Sequence, residues 1–258
     1  MKILALDTST AHCSVALWID GEVAAREALA GQRHSELLLG MIDALLRGSG
    51  LSVRNLDGIA YGEGPGSFTG LRIACGVVQG LAFGGGVPVV GIGTLLAMAA
   101  GSGAPRIVCC VDARVHEIYH AAYCRVAAGE RTGVPAAPLR GGERTGETQG
   151  FPHYLHPVGY VWEAVHQPAL CAPAAAPELP GEGWLGCGDG FKAYGEVLEK
   201  RYAGKLARVD PALYPHAREI AALAAPLFAA GRGVPAEKAA PVYLRDKVAL
   251  RSDERANR

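Results

Sequence analysis

The chain lacks several features that would settle its class at once. It has seven cysteines, an odd number, and no two of them stand in a C-x-x-C pair. That excludes a zinc ribbon or a disulfide framework and leaves reduced, buried thiols as the expectation. Charge of one sign is not in excess: 25 Lys and Arg are matched by 25 Asp and Glu. A nucleic-acid coat, an acidic tail or a disordered activator would be strongly unbalanced. The balance drifts only mildly, from 6 basic and 8 acidic side chains in residues 1–100 to 13 and 8 in residues 192–258. The apolar segments 87–101 and 220–230 fall short of the ~20 residues of a membrane span. Each also contains a proline. The opening Met-Lys-Ile-Leu-Ala-Leu-Asp meets a charge too early for a secretory signal. A soluble cytoplasmic protein without membrane contact is expected.

What is present is apolar bulk. Half of the 258 residues are hydrophobic and 19% are charged, enough for a sizeable core. The length suggests about two domains at roughly 150 residues each. Ile3–Leu6 reads as a buried strand, Asp7-Thr-Ser-Thr10 as a turn, and Cys13–Ile19 as a second strand. Asp20-Gly21 is a hairpin signal leading to a third strand over 22–28. A helix follows over His34–Arg47, then a strand over Gly58–Tyr61, a glycine-rich loop over 62–70 and a helix over Thr69–Phe83. Val87–Gly91 reads as a strand and 93–100 as a short helix. Strands resume at Ile107–Val111, Glu117–Val126 and 157–161. Residues 127–150 and 167–183 read as irregular loops rich in Gly, Pro and Ala. Trp184–Gly190 is a strand entering a glycine turn, 191–202 a helix, and 217–230 a helix kinked or broken at Pro226. Pro241–Leu250 reads as extended, before a charged tail. The adjacent Cys109 and Cys110 should point to opposite faces of their strand. Two similar α/β halves follow from this order.

Asp7-Thr8-Ser9-Thr10 could hold a hydrated metal and accept a nucleotide phosphate, and the same residues are ordinary turn formers. The loop Gly62-Glu-Gly-Pro-Gly-Ser-Phe-Thr-Gly70 feeds a helix N-terminus, with Ser67 or Thr69 as its cap. It could cradle an anion, or it could be a tight structural turn. It is not a P-loop, because no lysine follows the last glycine. His34 would need a second imidazole at position 38 to form an H-x-x-x-H metal pair, and that residue is Leu38. His116 and His120 fall in a predicted strand, so no metal ligands are assigned.

The helices are more informative. Apolar residues from Leu37 to Leu46 sweep roughly 220° of helix, against the ~100–150° that one sheet covers. Leu39 and Leu46 lie on the flank that a single sheet leaves uncovered. Gly76, Gly80 and Gly84 recur in steps of four on the next helix, and small residues on one face let another backbone approach. A face for a partner molecule is one reading; helices sandwiched within their own fold is the other.

These residues together resemble a known family. Ile3-Leu-Ala-Leu-Asp-Thr-Ser-Thr10, His34-Ser-Glu-Leu-Leu-Leu39, Tyr61 through Ile73, Val111-Asp-Ala-Arg-Val-His-Glu-Ile-Tyr119 and Pro241-Val-Tyr-Leu-Arg245 are similar to the TsaB (YeaZ) family. That family is a bacterial subunit of the machinery that makes threonylcarbamoyladenosine next to the tRNA anticodon. Its most specific stretch here is Gly64, Pro65, Gly66, Ser67, Phe68, Thr69, Gly70, Leu71 and Arg72.

The resemblance implies an α/β fold of the actin/Hsp70-like (ASKHA) type, with two duplicated mixed-sheet subdomains and helices. It places an N-terminal subdomain over 1–104, a C-terminal one over 105–215, and an extended segment and tail over 241–258. The helix near 217–230 is then available to pack back onto the first subdomain. In that superfamily a nucleotide sits between the halves. Asp7, Ser9 and Thr10 would stand at the first phosphate loop and Asp112 near the second, where Arg114 adds bulk. Gly186–Gly190 would be a remnant of the adenosine turn. The resemblance therefore implies a degenerate nucleotide cleft, no catalytic residue and no cofactor required by this chain, with ATP and a metal on partner subunits. Partners implied are a TsaD-like catalytic subunit, a TsaE-like ATPase and tRNA through the complex, with a homodimer when the TsaD-like subunit is absent. Leu39, Ile42, Leu46, Gly76 and Gly80 would form the partner interface. An autonomous ATPase or small-molecule kinase of the same fold is the alternative. A metal-dependent peptidase is a further one, opposed by Leu38.

Overall fold

The computed structural model describes residues 1–127, 154–156 and 160–245. The first sheet holds β1 (Lys2–Asp7), β2 (His12–Ile19), β3 (Glu22–Leu29), β4 (Gly58–Gly64) and β5 (Val89–Gly93), in the order β3-β2-β1-β4-β5. β1, β2 and β3 are antiparallel neighbours, and β4 and β5 run parallel to β1. The second sheet holds β6 (Arg106–Arg114), β7 (Glu117–Ala127), β8 (Tyr154–His156), β9 (Tyr160–Cys171), β10 (Trp184–Cys187) and β11 (Leu206–Asp210). Its order is β11-β10-β6-β7-β9-β8. Without the edge strand β8 this is the first sheet again. β6, β7 and β9 pair antiparallel as β1, β2 and β3 do, and β10 and β11 run parallel as β4 and β5 do. The fold is α/β and actin-like, two copies of one mixed-sheet topology.

Strand alternation sorts the cores. Ile3 and Ala5 of β1 enter a core shared by both sheets, while Leu4 and Leu6 face α1 (His34–Gly48) and α2 (Phe68–Gly85). With both faces covered, the strand reads as an unbroken apolar run. In β6, Ile107 and Cys109 enter the shared core, while Val108 and Cys110 pack with Phe191 and Leu198. Those two residues belong to the short helices α4 (Gly190–Ala193) and α5 (Gly195–Arg201). The two adjacent cysteines thus point to opposite faces of β6.

The middle layer is made by two helices. α3 (Thr94–Gly101) follows the last strand of the first sheet and packs on β6, β7 and β9 as well as on β4 and β5. α6 (Ala217–Ala229) follows the last strand of the second sheet and packs on β1, β2, β4, β5 and α3. Residues Thr94 to Ala99 of α3 are all buried, as a helix apolar all round must be. Among the described residues no helix is long and apolar enough to cross a membrane.

Several sequence expectations are corrected. β9 extends through residues 167–171, which read as loop from the Gly, Pro and Ala content of 167–183. The ladder is irregular there: His120 pairs with Ala169 and Ala122 with His166, so Pro168 falls in a bulge that asks no N–H of it. β11 was not expected at all. The helix over 191–202 is split in two, His116 lies in a turn between strands, and Pro226 sits inside α6 near its end without breaking it. Residues 128–153, 157–159 and 246–258, with most of the first predicted loop, the start of the strand predicted at 157–161, the end of the extended segment and the tail, lie outside the described residues.

The shared core makes the two halves one folding unit. Leu95→Ala, at a side chain 1% exposed between the sheets, should cost about 2–5 kcal/mol. Urea unfolding followed by tryptophan fluorescence should still show a single transition at lower midpoint. Separate transitions for the two halves would contradict the shared core.

Candidate functional site

The residues expected at the first phosphate loop are engaged with the glycine-rich loop. Asp7 Oδ1 accepts the Ser9 backbone N–H at 3.0 Å and the Ser9 hydroxyl at 2.8 Å. The Thr8 hydroxyl donates to the Gly70 carbonyl at 2.7 Å, and the Ser67 N–H donates to the Ser9 carbonyl at 2.7 Å. Thr10 accepts the His12 N–H at 3.1 Å. From the other side, the Thr94 hydroxyl donates to the Pro65 carbonyl at 2.5 Å.

The glycines follow from this contact. A Cβ on Gly66 would lie 2.5 Å from the Ser9 carbonyl, and one on Gly62 or Gly70 would overlap Asp7 Oδ2 or the Thr8 carbonyl. Gly64, at φ +118°, lies in the region that favours glycine and follows the same close-packed path into the cis Gly64–Pro65 bond. Ser67 is the N-cap of α2, accepting the Gly70 N–H at 3.3 Å. Thr69 and Arg72 lie on the exposed side of the first turn. The loop is a tight turn fitted against β1, and the Thr8 hydroxyl, the Ser9 hydroxyl and the Ser67 N–H are used inside the chain.

The second half repeats the arrangement. The glycine turn after β10 stands where the loop after β4 stands in the first half. A Cβ on Gly188 or Gly190 would come 2.5 or 2.6 Å from the Cys110 carbonyl, and one on Gly186 would come 2.6 Å from the Phe191 ring. Asp112 donates its N–H to Asp189 Oδ1 at 2.9 Å and accepts from the Arg114 N–H at 2.8 Å and the Tyr194 hydroxyl at 3.2 Å. Arg114 also pairs with Asp112 Oδ2 at 3.1 Å. Both phosphate-loop positions of the expected cleft thus carry internal bonds.

Asp7 is 1% exposed, and its Oδ2 has no hydrogen-bond partner among the described residues. Burial pushes its carboxyl up to about 7, outweighing the two Ser9 bonds that favour the charged form. Among the described residues no group of three or more His, Cys, Asp or Glu could hold a metal ion. Position 38, the partner that His34 would need, is a buried leucine.

The other candidate surface is the outer side of α1 and α2. Leu39 is 54% exposed, and Gly76 and Gly80 have open space where a Cβ would stand. Ile42 and Leu46, expected on the same flank, are buried in the core beside Leu45 and Leu56. This corrects the arc argument: β2 and α2 both cover α1, so a wider arc is buried than one sheet allows. Sequence reasoning missed Phe83, 84% exposed on α2. Its position seven residues after Gly76 places it on the glycine face and could have revealed it.

The buried acid has a pH signature. Its pKa is raised on folding, so its contribution to stability is complete below the unfolded value of 3.8 and is lost as pH rises to about 7. Asp7→Asn should remove that slope, so that the variant gains on the parent chain between pH 4 and 8. Chemical denaturation across that range measures it, and parallel curves would contradict the burial argument.

The family model described as TsaD, tRNA N6-adenosine threonylcarbamoyltransferase, matches residues 26–252. The tRNA threonylcarbamoyladenosine biosynthesis protein TsaB of Escherichia coli K12 is 38% identical over 96% of this chain and 96% of its own length. The Haemophilus influenzae protein of the same name is 34% identical over 96% and 95%. The solved structure of YeaZ from Pseudomonas aeruginosa superposes with a TM-score of 0.74 at 33% identity, covering 94% of this chain and 99% of that one. The chain belongs to the TsaB (YeaZ) family of tRNA threonylcarbamoyladenosine biosynthesis proteins.

Proposed function

We propose that this chain acts in tRNA threonylcarbamoyladenosine biosynthesis as a non-catalytic subunit that holds and activates a TsaD-like transferase. The transferase would move the threonylcarbamoyl group to N6 of the adenosine next to the anticodon. The single observation that carries this reading is the contrast between the two candidate sites. In the cleft, Oδ1 of Asp7 and polar groups of Thr8, Ser9 and Asp112 are bonded within the chain. On α1 and α2, Leu39 and Phe83 are exposed, and among the described residues no atom stands near where a Cβ on Gly76, Gly80 or Gly84 would lie.

The face suits a helix partner for physical reasons. α2 has 18 residues and is about 27 Å long. Gly76, Gly80 and Gly84 let a second helix approach the backbone closely, and Phe83 on the same face and Leu39 on α1 supply exposed apolar area. In this reading the TsaD-like subunit occupies the face, and a second copy of the chain takes its place when that subunit is absent. A TsaE-like ATPase and tRNA join through the complex. ATP and a metal belong to the partner subunits, and the assembly is cytoplasmic.

Light scattering after size exclusion, on the chain alone and with the TsaD homologue of the same organism, tests the assignment. A heterodimer should form at the expense of homodimer. Absence of any complex at tens of micromolar, with ATP–Mg bound by the lone chain instead, would favour the autonomous ATPase. Gly76→Leu is the sharper variant. Its side chain enters open space, so the helix gains up to about 1 kcal/mol over glycine while close approach is blocked. The monomer should be at least as stable and the complex at least about tenfold weaker. Phe83→Glu should weaken the complex similarly without altering the melting temperature.

A further inference from the structure

The motif Pro241-Val-Tyr-Leu-Arg245 belongs neither to the buried cleft residues nor to the α1–α2 face, and its bonds give it a separate role. The segment that leads to it leaves α6 and is held by the first half along its length. Val234 bridges to Val89. The Ala239 carbonyl accepts from Gln79 Nε2 at 2.9 Å, and the Ala240 N–H donates to the Tyr61 hydroxyl at 2.9 Å. The Val242 N–H donates to the Glu63 carbonyl at 2.7 Å, beside Gly64. Tyr243 takes the last hold, its hydroxyl accepting from Arg72 Nε at 2.9 Å while the Arg72 guanidinium lies 3.8 Å above the Phe68 ring.

Two residues later the chain grips the second half. Arg245 Nη2 donates to the Ala113 carbonyl at 3.0 Å, the Arg114 carbonyl at 3.3 Å and Glu117 Oε2 at 2.6 Å. The hairpin it grips is the one expected to carry the second phosphate loop. Arg114, Val115 and His116 have φ of 64°, 54° and 58°, three consecutive left-handed residues without a glycine. Such backbone is costly, most of all for a β-branched residue, and persists only where its surroundings hold it. Val115 is 69% exposed and supplies little packing. Arg245 binds two carbonyls of this turn and the carboxylate that follows it.

We propose that residues 239–245 are a latch between the two halves. The first half holds the strap through its bonds to Tyr61, Glu63, Arg72 and Gln79, Arg245 is the bolt, and the bolt keeps the 114–116 hairpin in its left-handed form. The latch ties the glycine-rich loop of one half to the hairpin of the other, in addition to the core formed by α3 and α6. Releasing Arg245 frees the hairpin to relax and detaches the strap from the second half. The proposal concerns the chain alone and does not depend on what binds α1 and α2.

Hydrogen–deuterium exchange read by mass spectrometry, on the full chain, on Arg245→Ala and on Glu117→Gln, tests it. Amides of residues 113–118 should exchange at least about tenfold faster in Arg245→Ala. Glu117→Gln, which leaves the carbonyl bonds in place, should show a smaller increase in the same segment. β1, β2 and α2 should be unchanged in both. Unchanged exchange in the hairpin of both variants would overturn the latch. So would uniform acceleration across both halves, because Arg245 would then be part of the general fold. If Arg245→Ala does not fold, Glu117→Gln alone decides between the same outcomes.

Discussion

α3 and α6 lie between two sheets, and neither helix could be stable in water alone with so many apolar residues around it. Each is buried because it packs against the half of the molecule it does not continue from as well as against its own surroundings. That exchange fixes the spacing and orientation of the sheets. It also gives β1 and β6 an apolar environment on both faces, so their sequences carry no polar alternation. The turns that follow the central strands are then brought to a common end, where a related protein could place a ligand.

Here those turns are filled by the protein itself. The glycines after β4 admit the carbonyls and side chain of the Asp7–Ser9 turn, and the glycines after β10 admit the Cys110 carbonyl. A glycine-rich loop at a helix N-terminus is compatible with anion binding, yet the same composition serves two backbones that must nearly touch. The distinction lies in the donors: Ser9, Thr8 and the Ser67 N–H are satisfied within the chain. A fold related to nucleotide-binding proteins can thus retain the outline of the site while several of its polar groups are bonded within the chain.

Much of this was legible in the residues. The apolar run of β1 and the Asp20-Gly21 turn with Ile19 paired to Glu22 both obey local rules. β11 was not legible, because Leu-Ala-Arg-Val-Asp at a sheet edge is half polar and carries no clear period. The end of β9 was hidden by the Gly, Pro and Ala content of 167–183, and the acceptability of Pro168 there depends on a bulge set by the neighbouring strand. Leu46 shows the limit of counting helix angles. The arc of apolar residues was real, but only the tertiary fold determines how many elements cover it. The latch was visible as a motif and not as a function, since Arg245 and Ala113 meet across 132 positions of sequence.

The placement of α6 also constrains how the chain is made. β1 is complete at Asp7, but the helix that covers its inner face begins only at Ala217. During synthesis β1 and β2 must wait, their inner face not yet covered by α6, while nearly the whole second half emerges from the ribosome. Folding therefore cannot be finished domain by domain from the N-terminus, the usual course for a two-part chain. The nascent protein carries its greatest exposure to aggregation and chaperone capture late, in the interval before residues 217–229 arrive.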